Sequence, residues 1–224
     1  MINLIKNLGP TILLKTWEHI ELSLIAILIA VGISFPLALL LTQVRSVKVS
    51  ERILRGISII QTIPGLALIA FVIVILHMIN KQFYVPTTGF LPGLIILVLY
   101  ALLPIVSNTY HGIMQVPSSL KDAANAIGMS KKQVLFFVEI PLSFPLIISG
   151  VRIAFVCTVG LVTLTSLVGT GGLGELILQG LRSMSISYIL AGTIPAALLA
   201  VVGDMLLQVF SRSFVKSGYE KNQA

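Results

Sequence analysis

Five apolar runs, each about as long as a bilayer is thick, constrain this chain more than any other feature. They are Ile20–Thr42, Ile57–Ile79, Phe90–Tyr110, Phe144–Leu167 and Ile189–Phe210. A helix needs about 20 apolar residues to cross the hydrocarbon layer. Inside lipid only a helix or a closed barrel satisfies every backbone donor and acceptor. Barrel strands would read as short alternating segments, and these runs do not alternate. The prediction is therefore an all-α membrane protein of about five transmembrane helices, embedded as a single domain over 1–224. Composition agrees, because 56% of the residues are hydrophobic and only 10% charged, where a soluble domain has about 25% charged. Gly32, Pro36, Pro64, Gly65, Pro104 and Pro195 lie within the runs, as packed membrane helices allow.

The net charge of +7 would suggest nucleic acid in a soluble protein, but here the basic residues sit in the gaps between runs. Arg45, Lys48, Arg52 and Arg55 fill the first gap, Lys121, Lys131 and Lys132 the third, and Arg212, Lys216 and Lys221 the C-terminal tail. The alternate gaps carry Lys81 and Arg182, and the N-terminal segment carries Lys6 and Lys15, so the division is ten against four. The positive-inside rule then predicts the N-terminus outside and the C-terminus in the cytoplasm. No nucleic-acid partner is expected; membrane lipid is. Met1–Leu14, with Ile2, Leu4, Ile5 and Leu8 apolar, is expected to lie at the outer interface. No cleavable signal peptide is expected, since Glu18 and Glu21 rather than basic residues precede the first run. The single cysteine, Cys157, is expected to be a small buried side chain.

The third gap is longer than a chain reversal needs. Over about 115–140 it reads as two short helices and a turn: Ser118 or Ser119 caps the first, with Asp122 in its early turns. Gly128 fits the position after the helix end, and Ser130 can cap the second. Alanines at 123, 124 and 126 let another surface approach. Such a segment is either a solvated loop or a docking element.

This segment resembles the E-A-A-x-x-x-G-x9-I-x-L-P motif of ABC importer permeases. Asp122-Ala123-Ala124 stands for E-A-A, Gly128 follows at the required spacing, and Val138-Glu139-Ile140-Pro141 stands for I-x-L-P. The aspartate carries the charge of glutamate on a side chain one methylene shorter. Gln61-Thr62-Ile63-Pro64-Gly65-Leu66-Ala67, Val168-Gly169-Thr170-Gly171-Gly172-Leu173-Gly174-Glu175 and Ile189–Ala200 resemble stretches of the osmoprotectant branch, which imports glycine betaine, carnitine, choline or proline betaine. Methionine-type permeases share the G-G-L-G piece, so methionine or another amino acid is the alternative cargo.

The resemblance implies a type I ABC importer permease in a bacterial plasma membrane. It implies Asp122, Ala123, Ala124, Gly128 and Pro141 as ATPase-coupling residues. The implied partners are ATPase subunits, a second permease (identical or a sister chain) and an extracytoplasmic binding protein. It implies no catalysis and no cofactor in this chain, with ATP and Mg on the ATPase. The glycines at 169–174 lack the Lys-Ser/Thr of a P-loop, and no aromatic cluster offers a cage for a quaternary ammonium. No binding domain is expected beyond the fifth run.

Broken helices often line a substrate path. Gln61, Thr62, Pro64 and Gly65, with Gly171, Gly172, Gly174 and Glu175 at the outer end of the fourth run, are the candidate path or gate residues. A packing kink and a plain turn are the simpler readings. Ionisable residues inside runs suggest function. Arg152 and Asp204 lie about 12 Å and about 9 Å from the cytoplasmic ends of their runs at 1.5 Å per residue, so an intramembrane ion pair is expected, with snorkelling as the alternative. His19, His77 and His111 are scattered, so they read as interfacial and no metal site is expected. Ser107 and Asn108 are candidates for hydrogen bonds between helices. An ion channel or an intramembrane enzyme would need a charged ring, a carbonyl filter or a paired catalytic set; the runs hold none.

Overall fold

The computed structural model describes the backbone of residues 2–80 and 84–220 and the side chains of residues 8–80 and 84–213. Nine α-helices follow one another among these residues, and no strand occurs. The first, α1 (Ile2–Gln43), is continuous. It merges the first expected span with the N-terminal segment expected to lie apart from it at the interface. No break separates the two. Met1 and the side chains of Ile2, Leu4 and Ile5 fall outside the described ones.

The second expected span is not one helix. It divides into α2 (Val47–Thr62) and α3 (Gly65–Asn80), which meet at 99°. Pro64 has no N–H to donate back into α2, and its ring forces the preceding residue out of the helical region. Ile63 accordingly sits at φ −74°, ψ 123°. Helix α2 also begins at Val47, well before the expected Ile57, because the amphipathic stretch with Lys48, Arg52 and Arg55 is helical too.

The central helix is α4 (Phe90–Met114). It shares one core with α1 and with α7 (Ile140–Thr165): Leu22, Ala26, Ile27 and Ala30 meet Leu97, Val98, Ala101 and Ile105, and Ala154 and Val162 close the third side. Helix α2 runs beside α4, placing Leu54 with Val106 and Tyr110. Helix α3 then departs and packs Leu68, Ile69 and Val72 on Ile96 and Val168. Gly150 of α7 sits where a Cβ would come within 2.6 Å of the Pro104 carbonyl and 2.7 Å of the Asn108 Cβ. The missing side chain is what lets α4 and α7 touch, as small residues do in membrane bundles.

Between α4 and α7 lie α5 (Ser118–Ala126), α6 (Lys131–Val134) and a π-helical turn, Leu135–Glu139. A 3-10 turn, Ser166–Val168, and a glycine loop lead from α7 to α8 (Leu173–Arg182), and α9 (Ile186–Glu220) follows. Ala196 of α9 packs on Leu173 and Leu176 of α8. Four helical stretches are long and apolar enough to cross a membrane, or five if the bent pair counts as one span. Their outward faces stay apolar, with Leu28 at 70% and Leu206 at 65% exposure. Cys157 belongs to such a face: it is exposed on α7 beside Ile153 and Val156 rather than buried. An apolar exterior accommodates a small thiol as readily as a core does.

Gly150→Leu is expected to lower the melting temperature in mild detergent, at a cost of about 1–3 kcal/mol for overpacking. Gly160→Leu on the same helix is expected not to lower it, because nothing lies within 4 Å of the place a Cβ would occupy there.

Candidate functional site

The segment between α4 and α7 is built by local chemistry. Helix α5 ends in a left-handed closure in which Gly128 at φ 87° donates to the Asn125 carbonyl (3.0 Å) and Met129 donates to the Ala124 carbonyl (3.1 Å). That pair of bonds satisfies the orphan carbonyls of the helix end. The start of α5 differs from expectation. Pro117 occupies the cap position with no side-chain bond, and Ser118 and Ser119 are inside the helix. Proline at 117 holds an extended backbone (φ −54°, ψ 134°), which moves the first helical residue to Ser118. Ser130 does cap α6: it accepts from the Gln133 N–H, and Gln133 Oε1 accepts from the Ser130 N–H (2.8 Å). The π-helical turn follows from Pro141, which cannot donate into a regular helix. The Ile140 N–H reaches five residues back to Leu135.

Asp122, Ala123 and Ala126 are exposed on α5, as is Ile127 just after it, whereas Ala124 is buried. Lys121 Nζ lies 2.8 Å from Glu139 Oε1 and 3.5 Å from the Ile113 carbonyl. One ammonium therefore ties α5 both to the end of α4 and to the turn entering α7. Glu139 stands in the proline motif but pairs with a residue 18 positions earlier; spacing alone does not reveal that.

The broken helix is held together by α4. Gln61 Nε2 donates to the Tyr100 carbonyl (2.8 Å), and the Tyr100 hydroxyl donates to the Ile63 carbonyl at the break. Thr62 turns its hydroxyl onto the Ile59 carbonyl (2.7 Å). Gly65 lies against Leu161 and Leu164 of α7. The carbonyls freed by Pro64 thus find donors, as apolar surroundings demand.

In the second group, Gly171 and Gly172 adopt φ 84° and 79°, a conformation that L side chains rarely take. Gly174 packs directly on Thr163 and Ser166 of the preceding segment. Ser166 donates to the Gly171 carbonyl (2.7 Å), and the Thr165 and Thr170 hydroxyls are 3.1 Å apart. Glu175 lies in the first turn of α8 and borders an open cleft of about 610 Å³ with Ser166, Gly169, Gln179 and Arg182. Two residues of α1 complete the group: the Gly172 N–H donates to Glu18 Oε2 (2.8 Å), and Lys15 Nζ lies 2.6 Å from Glu175 Oε2. His19, expected at the interface, is fully buried with Nε2 on the Val159 carbonyl (3.0 Å). The apolar helix continues N-terminal to it, so the edge of the hydropathy run is not the edge of the packing. Both groups of candidate residues flank the C-terminal end of α7, Gly65 against Leu161 and Leu164 and Gly174 against Thr163.

Arg152 and Asp204 meet in a two-pronged pair, Nε–Oδ1 and Nη2–Oδ2 both 2.8 Å, joining α7 to α9. Asn108 bonds back to the Pro104 carbonyl of its own helix (2.8 Å), not across to another. No cluster of three or more metal-ligating side chains occurs among the described residues.

Residues 34–216 match the family described as "Binding-protein-dependent transport system inner membrane component". The chain is 35% identical to the choline transport system permease protein OpuBB of Bacillus subtilis over 221 residues, 99% of this chain and 96% of that one. It is 34% identical to the glycine betaine/carnitine/choline transport system permease protein OpuCB of the same organism, covering 98% and 96%. Its fold is that of a chain in a crystal structure of an amino acid ABC transporter with histidines, at TM-score 0.75 and 18% identity, covering 93% and 96%.

Truncating one partner of the α7–α9 ion pair should cost more than truncating both, because a lone charge is left in apolar surroundings. Arg152→Ala and Asp204→Ala are each expected to lower the melting temperature in detergent more than the double variant does. Equal, additive losses would make the pair energetically idle.

Proposed function

Because the chain belongs to the family of binding-protein-dependent transport system inner membrane components, we propose that it is the permease of an ATP-driven importer for small quaternary-ammonium osmoprotectants: glycine betaine, carnitine or choline. The observation that carries the cargo is the near-full-length similarity to permeases of choline and of glycine betaine/carnitine/choline systems. The amino-acid transporter shares the fold at much lower identity, so methionine or another amino acid is the lesser reading.

In this reading two permeases, identical or sister chains, enclose the path, and an extracytoplasmic protein delivers the solute. ATP and Mg act on separate ATPase subunits that dock on α5, where Asp122, Ala123, Ala126 and Ile127 are exposed. Ala124, Gly128 and Pro141 shape that segment: the first seats it, the second ends it and the third sets the turn into α7. The Lys121–Glu139 bridge makes α5 move with α4 and α7 rather than swing freely. The path residues would be Gln61, Thr62, Pro64 and Gly65 at the break, with Gly171, Gly172, Gly174 and Glu175 at the outer end. Arg152–Asp204 keeps α9 in step with α7.

Several contacts support an outside N-terminus and a cytoplasmic α5 in a bacterial plasma membrane. Ser50 bonds the Leu41 carbonyl (2.9 Å), and Leu54 packs beside Tyr110, so the basic α1–α2 turn shares an end with α5. The Gly89 N–H bonds the Val168 carbonyl (2.7 Å) and Glu18 holds Gly172, so the less basic segments share the opposite end. Positive charge concentrated at one end favours that end in the cytoplasm.

In cells lacking other betaine uptake and supplied with this chain, its ATPase and its binding protein, labelled glycine betaine or choline should accumulate. Excess unlabelled choline or carnitine should compete and methionine should not. Competition by methionine alone would shift the cargo to the lesser reading, and absence of ATP-dependent accumulation of either class would remove the importer reading.

A further inference from the structure

Lys15 and Glu18 stand one turn apart on α1 and reach the opposite part of the chain. Gly172 is the residue just before α8, and α8 has no side-chain cap from its own flank. Glu18 supplies the missing anionic cap from another helix through its 2.8 Å bond to the Gly172 N–H. Lys15 Nζ lies 2.9 Å from Glu18 and 2.6 Å from Glu175, bridging the cap to the first turn of α8. Beneath them His19 Nε2 meets a carbonyl, which can only accept, so that nitrogen carries the proton. Nδ1 is then a buried acceptor without a partner, 3.4 Å from where a Gly172 side chain would begin. A side chain at Gly171 would come within 2.5 Å of Glu18 Oε2. Helix α1 thus forms the seat on which the glycine loop rests.

We propose that Lys15 and Glu18 are positioning residues of the outer gate: they hold the Gly171–Gly172 loop and α8 against α1 in the closed arrangement, and the Lys15–Glu175 contact breaks when the outer end opens to receive solute. This rests on the importer reading given above. Two features favour a releasable contact over a permanent clamp. The Glu175 side chain is 41% exposed while that of Lys15 is 18% exposed, so the pair is open to solvent on the Glu175 side, and solvent weakens an ion pair. The two successive positive-φ glycines that precede α8 supply a backbone that can pivot with little steric cost.

The test uses the whole complex, with ATPase and binding protein, in lipid nanodiscs. ATP hydrolysis is measured alone and with binding protein loaded with glycine betaine. Glu175→Gln, which removes one partly exposed ion pair, is expected to raise the unstimulated rate about two- to fivefold. Lys15→Gln, which removes the contacts to both Glu18 and Glu175, is expected to raise it at least as much. The rate with loaded binding protein should change little, so the stimulation ratio falls. Lys15→Arg, which keeps a cation between Glu18 and Glu175, should retain the low unstimulated rate. Glu18→Gln, whose amide oxygen can still accept from Gly172, should perturb less than Glu18→Ala.

A second measurement covers variants that assemble poorly. Cysteines placed at 15 and 175 in a Cys157→Ala background and joined by a short reducible cross-linker should stop uptake, and reductant should restore it. Unchanged unstimulated hydrolysis in both charge variants, a rate in Lys15→Arg as high as in Lys15→Gln, or full uptake by the cross-linked protein each overturns the gate. A native complex that no loaded binding protein stimulates overturns the importer reading, and the gate with it, before any variant is made.

Discussion

Every backbone donor and acceptor that enters hydrocarbon must find its partner inside the protein, and most of this structure is arranged around the places where a helix cannot supply that partner itself. Pro64 removes one donor and turns the chain by 99°. The break survives because Tyr100 of α4 closes it, its carbonyl accepting from Gln61 of α2 and its hydroxyl donating to the Ile63 carbonyl. Pro141 removes another, and the helix widens by one residue rather than ending. At the glycine loop the chain leaves the helical state altogether, and Ser166, Gly89 and Glu18 take up backbone groups there. At the Pro64 break and the glycine loop, contacts from α4 and α1 hold the irregular backbone, so these points also join helices.

These joints differ in how tightly they are packed and how far they are shielded from solvent. α4 and α7 touch at Gly150 with no room for a side chain. Lys121 ties the end of one to the beginning of the other, and α5 hangs on that joint. In the proposed reading a push on α5 would reach the central pair of helices, and the Arg152–Asp204 contact would carry it on to α9. At the opposite end, the contacts that hold the glycine loop to α1 are partly exposed and lie on backbone that turns easily. A stiff end joined to a yielding one suits a transporter that must convert a push at one face into an opening at the other.

Features set by neighbouring residues are legible without the fold. Gly128 ends a helix because only glycine takes that conformation cheaply, and Ser130 with Gln133 is a cap written within four positions. The positions of Arg152 and Asp204 can be compared because helical rise converts residue counts into depth, and the structure places the two in contact. What stays hidden depends on chain distance or on averaging. Hydropathy over Ile57–Ile79 is continuous whether the helix bends or not, so the right angle at Pro64 leaves only the ambiguous trace of a proline. Glu18 and Gly172 are separated by 154 positions, and no local pattern joins them. His19 borders an apolar run and so reads as interfacial; the helix continues past it and packs. Ser118 and Ser119 are good caps by type, but Pro117 sets the boundary before them.

The central claim is that force from ATP enters this permease through α5. A photoreactive side chain placed at Ile127, which is 81% exposed at the end of that helix, tests it most directly in the membrane of intact cells. The account predicts a cross-linked product between this chain and an ATPase subunit, lost when Ala123 is changed to Asp. A probe at exposed Leu28, on the apolar flank of α1, should give no such product. Cross-linking to the ATPase from Leu28 and not from Ile127, in folded protein, would contradict the account.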